Sequence, residues 1–357
     1  MLNIVKNFKI EGTLKDVKPY KNGLVNKTYL VTTSTKKYLL QKINKYVFKN
    51  PRIVMDNIVN VTKKLKVLNK RTLNIIMTID DDELYFDPLS NEYFRMYDFL
   101  DDLETIELTF QDTLFFEVGK VIGDFQVSFT SFDPSLLKET IPNFHNTPYR
   151  LRHLEEVIES KEKNEQRYEK CQSICSYLIK NKERISLIQH ALDIGKIPLR
   201  ITHNDTKLNN VMFEKLTHKG SCLIDLDTVM PGTMIFDFSD AVRTSCSTTK
   251  EDDPHIDLVD LDDKKFTYLL IGYLSKVKDI ITKEELELLT EGIGTIIFEC
   301  AVRFITDYLE NDVYFKTFYP ENNLVRAYNQ CKLYNVFLKK EKKYQQIVKE
   351  VYKRLSF

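Results

Sequence analysis

Between residues 201 and 227 the chain concentrates side chains that could do chemistry. Ile201-Thr202-His203-Asn204-Asp205-Thr206-Lys207-Leu208-Asn209-Asn210 is followed, a short stretch later, by Leu223-Ile224-Asp225-Leu226-Asp227. Transfer of a phosphoryl group to a hydroxyl asks a protein for a carboxylate that receives the hydroxyl proton, hard oxygen ligands for Mg2+, and a cation beside the moving group. This segment offers all three. Asp205 is the candidate base and Lys207 the candidate cation. Asn210 and Asp225 supply an amide oxygen and a carboxylate for Mg2+, which keeps several waters and takes phosphate oxygens for the rest. Asp227 adds either a further ligand or a contact behind the metal.

An H-x-D triplet alone is common by chance. The longer pattern H-x-D-x-K-x-x-N with a strand-borne Ile-Asp at hairpin distance is not, and its offsets are those of the protein-kinase catalytic loop and metal aspartate. His203 reads as a support whose ring holds the loop backbone or a later carboxylate, with Asp237 the natural partner. The remaining histidines, His145 among them, follow no pattern and read as surface or packing residues.

The elements that must position these groups follow from periodicity. Alternating runs at 15–20, 25–31 and 38–43, with a turn at Lys21-Asn22-Gly23, predict a three-stranded meander. Asn50-Pro51 supplies an N-cap and a first-turn proline, and Val54, Ile58, Val61, Leu65 and Leu68 recur at helical spacing behind it. Two more strands are expected at 73–79 and 92–98, joined through Glu83-Leu84-Tyr85-Phe86. The rest reads mainly as helices: one marked by Phe110, Leu114, Val118, Ile122 and Phe125, one or two over 151–189, then 266–277, 284–307 and 324–355. A hairpin of 210–213 and 221–226 interrupts them. The acidic run from Glu251 to Asp263 reads as a solvated loop rather than a metal site. The order of elements is therefore α+β, with an antiparallel sheet and one main helix over residues 1–100 and mostly helices over 101–357.

Composition narrows the function. The 52 Lys+Arg balance 52 Asp+Glu over 357 residues, so the clustered basic surplus that binds phosphate backbones is missing and nucleic acid is not an expected partner. Ten glycines are fewer than half the usual share of about 7%, and neither G-x-G-x-x-G nor G-x-x-x-x-G-K-[ST] occurs. Six cysteines without C-x-x-C pairs point to reduced, buried thiols. No apolar run approaches a membrane span and residues 1–9 lack a signal-peptide core, which predicts a soluble cytoplasmic protein, working as a monomer on small molecules.

The catalytic string resembles the kinase-like phosphotransferase superfamily of aminoglycoside phosphotransferases, choline kinases and N-acetylhexosamine 1-kinases. His203 to Val211, Ile224-Asp225-Leu226-Asp227-Thr228-Val229-Met230-Pro231-Gly232, Asp237-Phe238-Ser239-Asp240-Ala241-Val242-Arg243 and Arg303-Phe304-Ile305-Thr306-Asp307-Tyr308-Leu309 look like the N-acetylhexosamine 1-kinases in particular, as do Asp312 to Lys316 and Ile141 to Thr147. The resemblance implies a bilobal protein-kinase-like fold, with 1–100 as N-lobe and 101–357 as C-lobe, ATP and Mg2+ as cofactors, and γ-phosphoryl transfer to the anomeric hydroxyl of GlcNAc or GalNAc, with Asp205 as base and Lys207 neutralising the phosphoryl charge. Arg303 resembles the family's sugar-contacting arginine, the alternative being an i,i+4 ion pair with Asp307; Tyr314 belongs to the same pocket.

In the N-lobe, the turn 21–27, which includes Asn26, must cover the phosphates with a single glycine. On the third strand Gln41 and Lys42 face opposite ways, so only one of them can point at ATP, with Asp56 or Asn57 as its partner; a solvated helix face is the other reading of those two. Backbone near Tyr97-Asp98-Phe99 forms the adenine-holding hinge. Two other readings compete: a kinase of another small alcohol (aminoglycoside, choline or homoserine), for which Arg303 and the lack of Trp are unfavourable, and a catalytically dead nucleotide-binding module, which would not need Asp205, Lys207, Asn210 and Asp225 together.

Overall fold

The computed structural model describes residues 1–20, 25–106, 111–161 and 163–356. A short helix α1 (Leu2–Val5) precedes strands β1 (Leu14–Pro19), β2 (Lys27–Thr33) and β3 (Lys37–Lys42). Helix α2 (Pro51–Val67) begins where expected: the Asn50 side chain accepts from the Ile53 N–H, Pro51 occupies the first turn, and Lys64 and Lys66 lie at the negative end of the dipole. Then come β4 (Ile75–Ile76), β5 (Tyr85–Asp87) and β6 (Glu92–Asp98), in an antiparallel sheet ordered β1-β2-β3-β6-β4 with β5 paired to β6. The strand expected at 73–79 is thus only two residues long, and the supposed connector at 83–86 is itself partly strand.

The two faces of this sheet are buried differently. Val31, Tyr38, Leu40, Phe94 and Met96 pack under Ile4, Val5 and Phe8 from the N-terminal segment. Ile43 and Tyr97 join Val54, Met55 and Ile58 of α2 in the main core. Register sets Gln41 opposite Arg95 and Lys42 opposite Phe94, so alternation sends Gln41 and Arg95 to one face and Lys42 to the other.

After residues 99–102 the chain enters the helical part through β7 (Leu103–Thr105), followed by α3 (Asp112–Ser128), α4 (Thr147–Glu159), α5 (Glu165–Lys180) and α6 (Leu187–Asp193). Phe110, expected to mark the start of α3, lies outside the described residues. Short strand β8 (Arg200–Thr202) leads to the hairpin β9 (Val211–Glu214) and β10 (Gly220–Leu223); β11 (Met230–Gly232) pairs back onto β8, and β7 onto β9. Helices α7 (Met234–Ser245), α8 (Asp263–Val277), α9 (Lys283–Leu309) and α10 (Asn322–Leu355) complete the chain.

Helix α3 packs on α8 at backbone distance: a Cβ on Gly119 would stand 2.1 Å from the Leu269 carbonyl oxygen, and one on Gly272 2.0 Å from that of Phe116. Only glycine permits this approach, and it seats α3 directly behind the catalytic loop.

The acidic run departs from its expectation as a free loop. Glu251 pairs with Arg243, Asp262 caps α8, Asp263 pairs with Lys343, and Val259 and Leu261 are buried. Among the described residues no helix is long and apolar enough to cross a membrane.

Candidate active site

The loop after β8 is fixed by buried side chains that bind its backbone. Asp237, in the first turn of α7, accepts the N–H of His203 at 2.9 Å and of Asn204 at 2.7 Å. Gln126 of α3 donates to the same carboxylate, and the Thr206 hydroxyl donates to the Asp237 carbonyl. Burial pushes the Asp237 carboxyl above its ordinary range in spite of these donors. Asn204 adopts φ 64°, tolerable for Asn, and its amide donates to the Thr228 carbonyl at 2.8 Å while the Thr228 hydroxyl donates to that of His203 at 2.8 Å. The His203 ring meets loop backbone: Nε2 lies 2.9 Å from the Ile224 carbonyl and Nδ1 accepts the Asp205 N–H at 3.3 Å. That pattern assigns the proton to Nε2. Asp237 is a support too, but it meets the backbone of His203, not its ring.

On this frame Lys207 Nζ lies 2.6 Å from Asp205 Oδ2, and Asn210 Nδ2 donates to the same oxygen at 3.0 Å and to the Asp205 carbonyl at 2.9 Å. The Asp205 and Lys207 side chains remain 26% and 22% exposed, open to a substrate. Burial raises the Asp205 pKa, and the Lys207 ammonium with the Asn210 amide outweighs it, holding the carboxyl below its usual range. Asp205 Oδ1 has no donor among the described residues.

The next aspartate, Asp225, sits at φ 62°, ψ 55°, where the chain turns out of β10. Its pKa is pushed up to about 6 by burial and by the neighbouring Asp227 charge, against the pull of Lys207 and Arg95. No hydrogen bond to its carboxylate occurs among the described residues.

Across the cleft, Gln41 is the residue of its pair that faces this site. Lys42 is turned away, 2.7 Å from Glu92. The buried cation of the N-terminal sheet is instead Arg95, which the sequence reading did not single out. Its Nε and Nη2 donate to Gln41 Oε1 at 3.0 and 2.9 Å, and Nη2 meets Asp227 Oδ1 at 2.5 Å. Asn26 Nδ2 donates to the other oxygen, Oδ2, at 2.6 Å. The rest of the expected turn, 21–24, lies outside the described residues. Neither Asp56 nor Asn57 partners residue 41 or 42: Asn57 bonds the backbone of Lys138 and Val229. Tyr97 is buried under the Arg95 guanidinium, 5.3 Å from ring centroid to Cζ, and Phe99 stacks edgewise on Tyr20 while its N–H donates to Lys37. The Asp98 N–H is likewise spent, on the Asn74 carbonyl. A cavity of about 500 Å³ between the end of α2, the β2–β3 turn and this segment contains none of the carboxylates above.

On the acceptor side, Arg303 forms no pair with Asp307, which instead accepts the N–H groups of Tyr314 and Phe315 at 2.7 and 2.9 Å. The intrahelical alternative is therefore set aside. The guanidinium lies over Phe144, Tyr314 and Phe315, 4.6 to 5.5 Å from their centroids, and its one hydrogen bond among the described residues goes to the Tyr314 hydroxyl at 3.3 Å. One turn earlier on α9, Glu299 takes the Thr147 hydroxyl at 2.6 Å and His145 Nδ1 at 2.8 Å, and His145 Nε2 reaches the Asn204 carbonyl at 3.2 Å. His145, read as a surface or packing residue, thus ties the Arg303 helix to the residue before Asp205.

Residues 16–261, more than two thirds of the chain, match the phosphotransferase enzyme family (APH). The chain belongs to that family. Its fold is similar over 97% of the chain to a microcompartment-associated aminopropanol kinase (13% identity, TM-score 0.66, 99% of that chain). It is also similar over 94% to the amicoumacin kinase hAmiN solved with AMP-PNP and Ca2+ (13%, 0.64, 92% of that chain), and over 99% to an aminoglycoside phosphotransferase from Alicyclobacillus acidocaldarius (11%, 0.58, 96% of that chain). At these identities the likeness establishes the fold.

In this phosphotransferase the donor set suits a hard divalent cation. Asn210 spends its amide N–H groups on Asp205, and among the described residues neither its Oδ1 nor the Asp225 carboxylate has a donor. A carboxylate held in a recess without hydrogen bonds is an unfavourable arrangement that Mg2+ would relieve. Asp227 is different: Oδ2 accepts the Asn26 amide, and Oδ1 stands against the Arg95 guanidinium in an ion pair without hydrogen-bond geometry.

Proposed function

We propose that this phosphotransferase uses Mg·ATP to phosphorylate the anomeric hydroxyl of an N-acetylhexosamine, GlcNAc or GalNAc, giving the sugar 1-phosphate. The observation that carries the phosphotransfer reading is the Asp205–Lys207–Asn210 contact set, which leaves Asp205 Oδ1 free on a loop whose backbone is immobilised. Asn210 and Asp225 would hold Mg2+, which would supply positive charge against the phosphates. Asp205 Oδ1 would accept the hydroxyl proton as the sugar oxygen bonds to the γ-phosphorus and the bond from that phosphorus to the ADP oxygen breaks. An anomeric hydroxyl is more acidic than other sugar hydroxyls, so a carboxylate below its usual pKa suffices as base late in a loose transition state. Lys207, already against Asp205, would balance charge on the transferred group. Adenine would lie against the 97–99 segment, whose Asp98 and Phe99 N–H groups are already bonded within the sheet and to Lys37.

The sugar assignment is supported by the resemblance of the Arg303 and Tyr314 strings and by charge. Arg303, stacked among three rings, would repel a cationic acceptor and donate to sugar or acetamido oxygens. All these groups come from one chain, so a monomer acting on small molecules completes the reading. The second reading is a kinase of another small alcohol, favoured by the aminopropanol and aminoglycoside substrates in the names of the similar structures. A coupled ADP-release assay over GlcNAc, GalNAc, their deacetylated forms and aminopropanol, with product regiochemistry by phosphorus NMR, separates the two. Turnover confined to amino alcohols would end the sugar reading, and turnover with no alcohol would end the kinase reading.

A further inference from the structure

Kinases of this architecture place a lysine on the third strand against the nucleotide phosphates and fix it with a carboxylate. Here that strand has two lysines, Lys37 at its start paired with Asp101 and Lys42 at its end bound to Glu92 on the face away from the site, and the buried cation at the cleft comes from the neighbouring strand. Arg95 and Asp227 are 1% and 4% exposed and 2.5 Å apart, and they join the sheet to the loop that carries Asp225. The pair is oriented from both ends. Gln41 takes two guanidinium N–H groups and is itself anchored through Nε2 to the Thr28 hydroxyl at 3.1 Å. Asn26 donates to the second Asp227 oxygen, and its side-chain Oδ1 accepts the Asn44 N–H at 2.9 Å. A planar guanidinium that spends two N–H groups on Gln41 Oε1 and sets Nη2 against Asp227 is directed in a way that a lysine ammonium is not.

We propose that Arg95 and Asp227 are the positioning pair of the nucleotide site. Arg95, oriented by Gln41, takes the place of the strand lysine, and Asp227 is its counter-ion and not a magnesium ligand. Through the two-residue step from Asp227 to Asp225, the pair sets where the metal carboxylate stands relative to the strands that cover the phosphates. This inference rests on the Mg·ATP reading above. It concerns residues that the catalytic string alone does not assign.

The test is a double-mutant cycle on the full chain. Arg95→Met and Asp227→Asn should each raise the KM for Mg·ATP about tenfold with the acceptor KM within about twofold, and the double variant should be no worse than either single, because the second change removes a partner already lost. Arg95→Lys should recover only part of the loss. Calorimetry with Mn2+ and ADP should find metal binding retained in Asp227→Asn and lost in Asp225→Asn. Losses that add, an unchanged KM in both singles, or loss of Mn2+ binding in Asp227→Asn would overturn the proposal. Removing one member of a buried ion pair can unfold a protein. If Arg95→Met does not fold, Gln41→Leu, which only releases the guanidinium from its strand neighbour, must give the same KM split, and an unchanged KM there also overturns it. Failure of the unmodified protein to bind Mn·ADP or Mg·ATP would be a different result, bringing down the nucleotide reading itself.

Discussion

The two walls of the cleft are held by different means. On the helical side, side chains bind backbone: Asp237 grips two successive N–H groups, Thr228 and Asn204 exchange bonds with the main chain, and His203 clasps the Ile224 carbonyl. On the sheet side, side chains bind one another: Gln41 to Arg95, Arg95 to Asp227, Asn26 to Asp227. The first arrangement fixes the path of the chain, so the catalytic groups start from one geometry. The second fixes charges, which an incoming polyanion can compete for. One wall is therefore a template, and the other is a fastening that responds to what binds.

That contrast can be broken in stages. The largest effect should come from the template's reactive group: Asp205→Asn lowers kcat by at least ~10²-fold, the usual weight of a general base, and leaves the KM for ATP nearly unchanged. Steady-state rates that fall by less than tenfold would remove Asp205 from the role. Next, Asp237→Ala strands two loop N–H groups and the Gln126 amide without an acceptor, a loss of about 2–3 kcal/mol, visible as a lower denaturant midpoint. An unchanged midpoint would mean the loop does not depend on that carboxylate.

A smaller effect of opposite sign is expected at Asp225. Its pKa is raised in the folded protein to about 6, so the stability linked to its protonated form is complete below the ordinary carboxylate pKa and is lost as pH rises through about 6. Asn carries no charge and tolerates the left-handed backbone there. Asp225→Asn should therefore stabilise the ligand-free protein at pH 8 by ~1 kcal/mol or more while losing Mg·ATP use, with the gain shrinking toward pH 4. A lower melting temperature at pH 8 would contradict this. In the unmodified protein, Mg·ATP affinity should weaken as pH falls below about 6. The smallest effect belongs to Lys42: Lys42→Ala should leave the KM for Mg·ATP within about twofold, since an exposed-side pair with Glu92 contributes little, and a tenfold rise would return that residue to the nucleotide site.

The difference between the walls also explains what could be read in advance. The template is written in consecutive residues, so the spacing of His203, Asp205, Lys207, Asn210 and Asp225 announced it, and Asn50-Pro51 announced α2. The fastening is not local. Arg95 is one charge in the strand Glu92–Asp98, and its meaning depends on register with Gln41 and on the fold bringing Asp227 beneath it. Period two separated Gln41 from Lys42 correctly, yet which of them faces the cleft follows from how the sheet packs. Helix α7 escaped notice because it is buried nearly all round, leaving no polar stripe to mark its period. Strands β8 and β11, three residues each, are too short to carry alternation. His145 lies in the family-like string Ile141 to Thr147, which gives it no role by spacing; only the tertiary approach of α9 gives it Glu299 on one side and the catalytic loop on the other.

The distribution of sulfur offers a built-in reporter. All six cysteines are buried free thiols, and every one lies past residue 170, on α5, β10, α9 and α10 or at the end of α7. An alkylating reagent added to the native enzyme therefore samples excursions of the helical part alone, and motion of the sheet over the cleft passes without a signal. Labelling rates with and without nucleotide thus separate loosening of the helical core from the breathing of its cover.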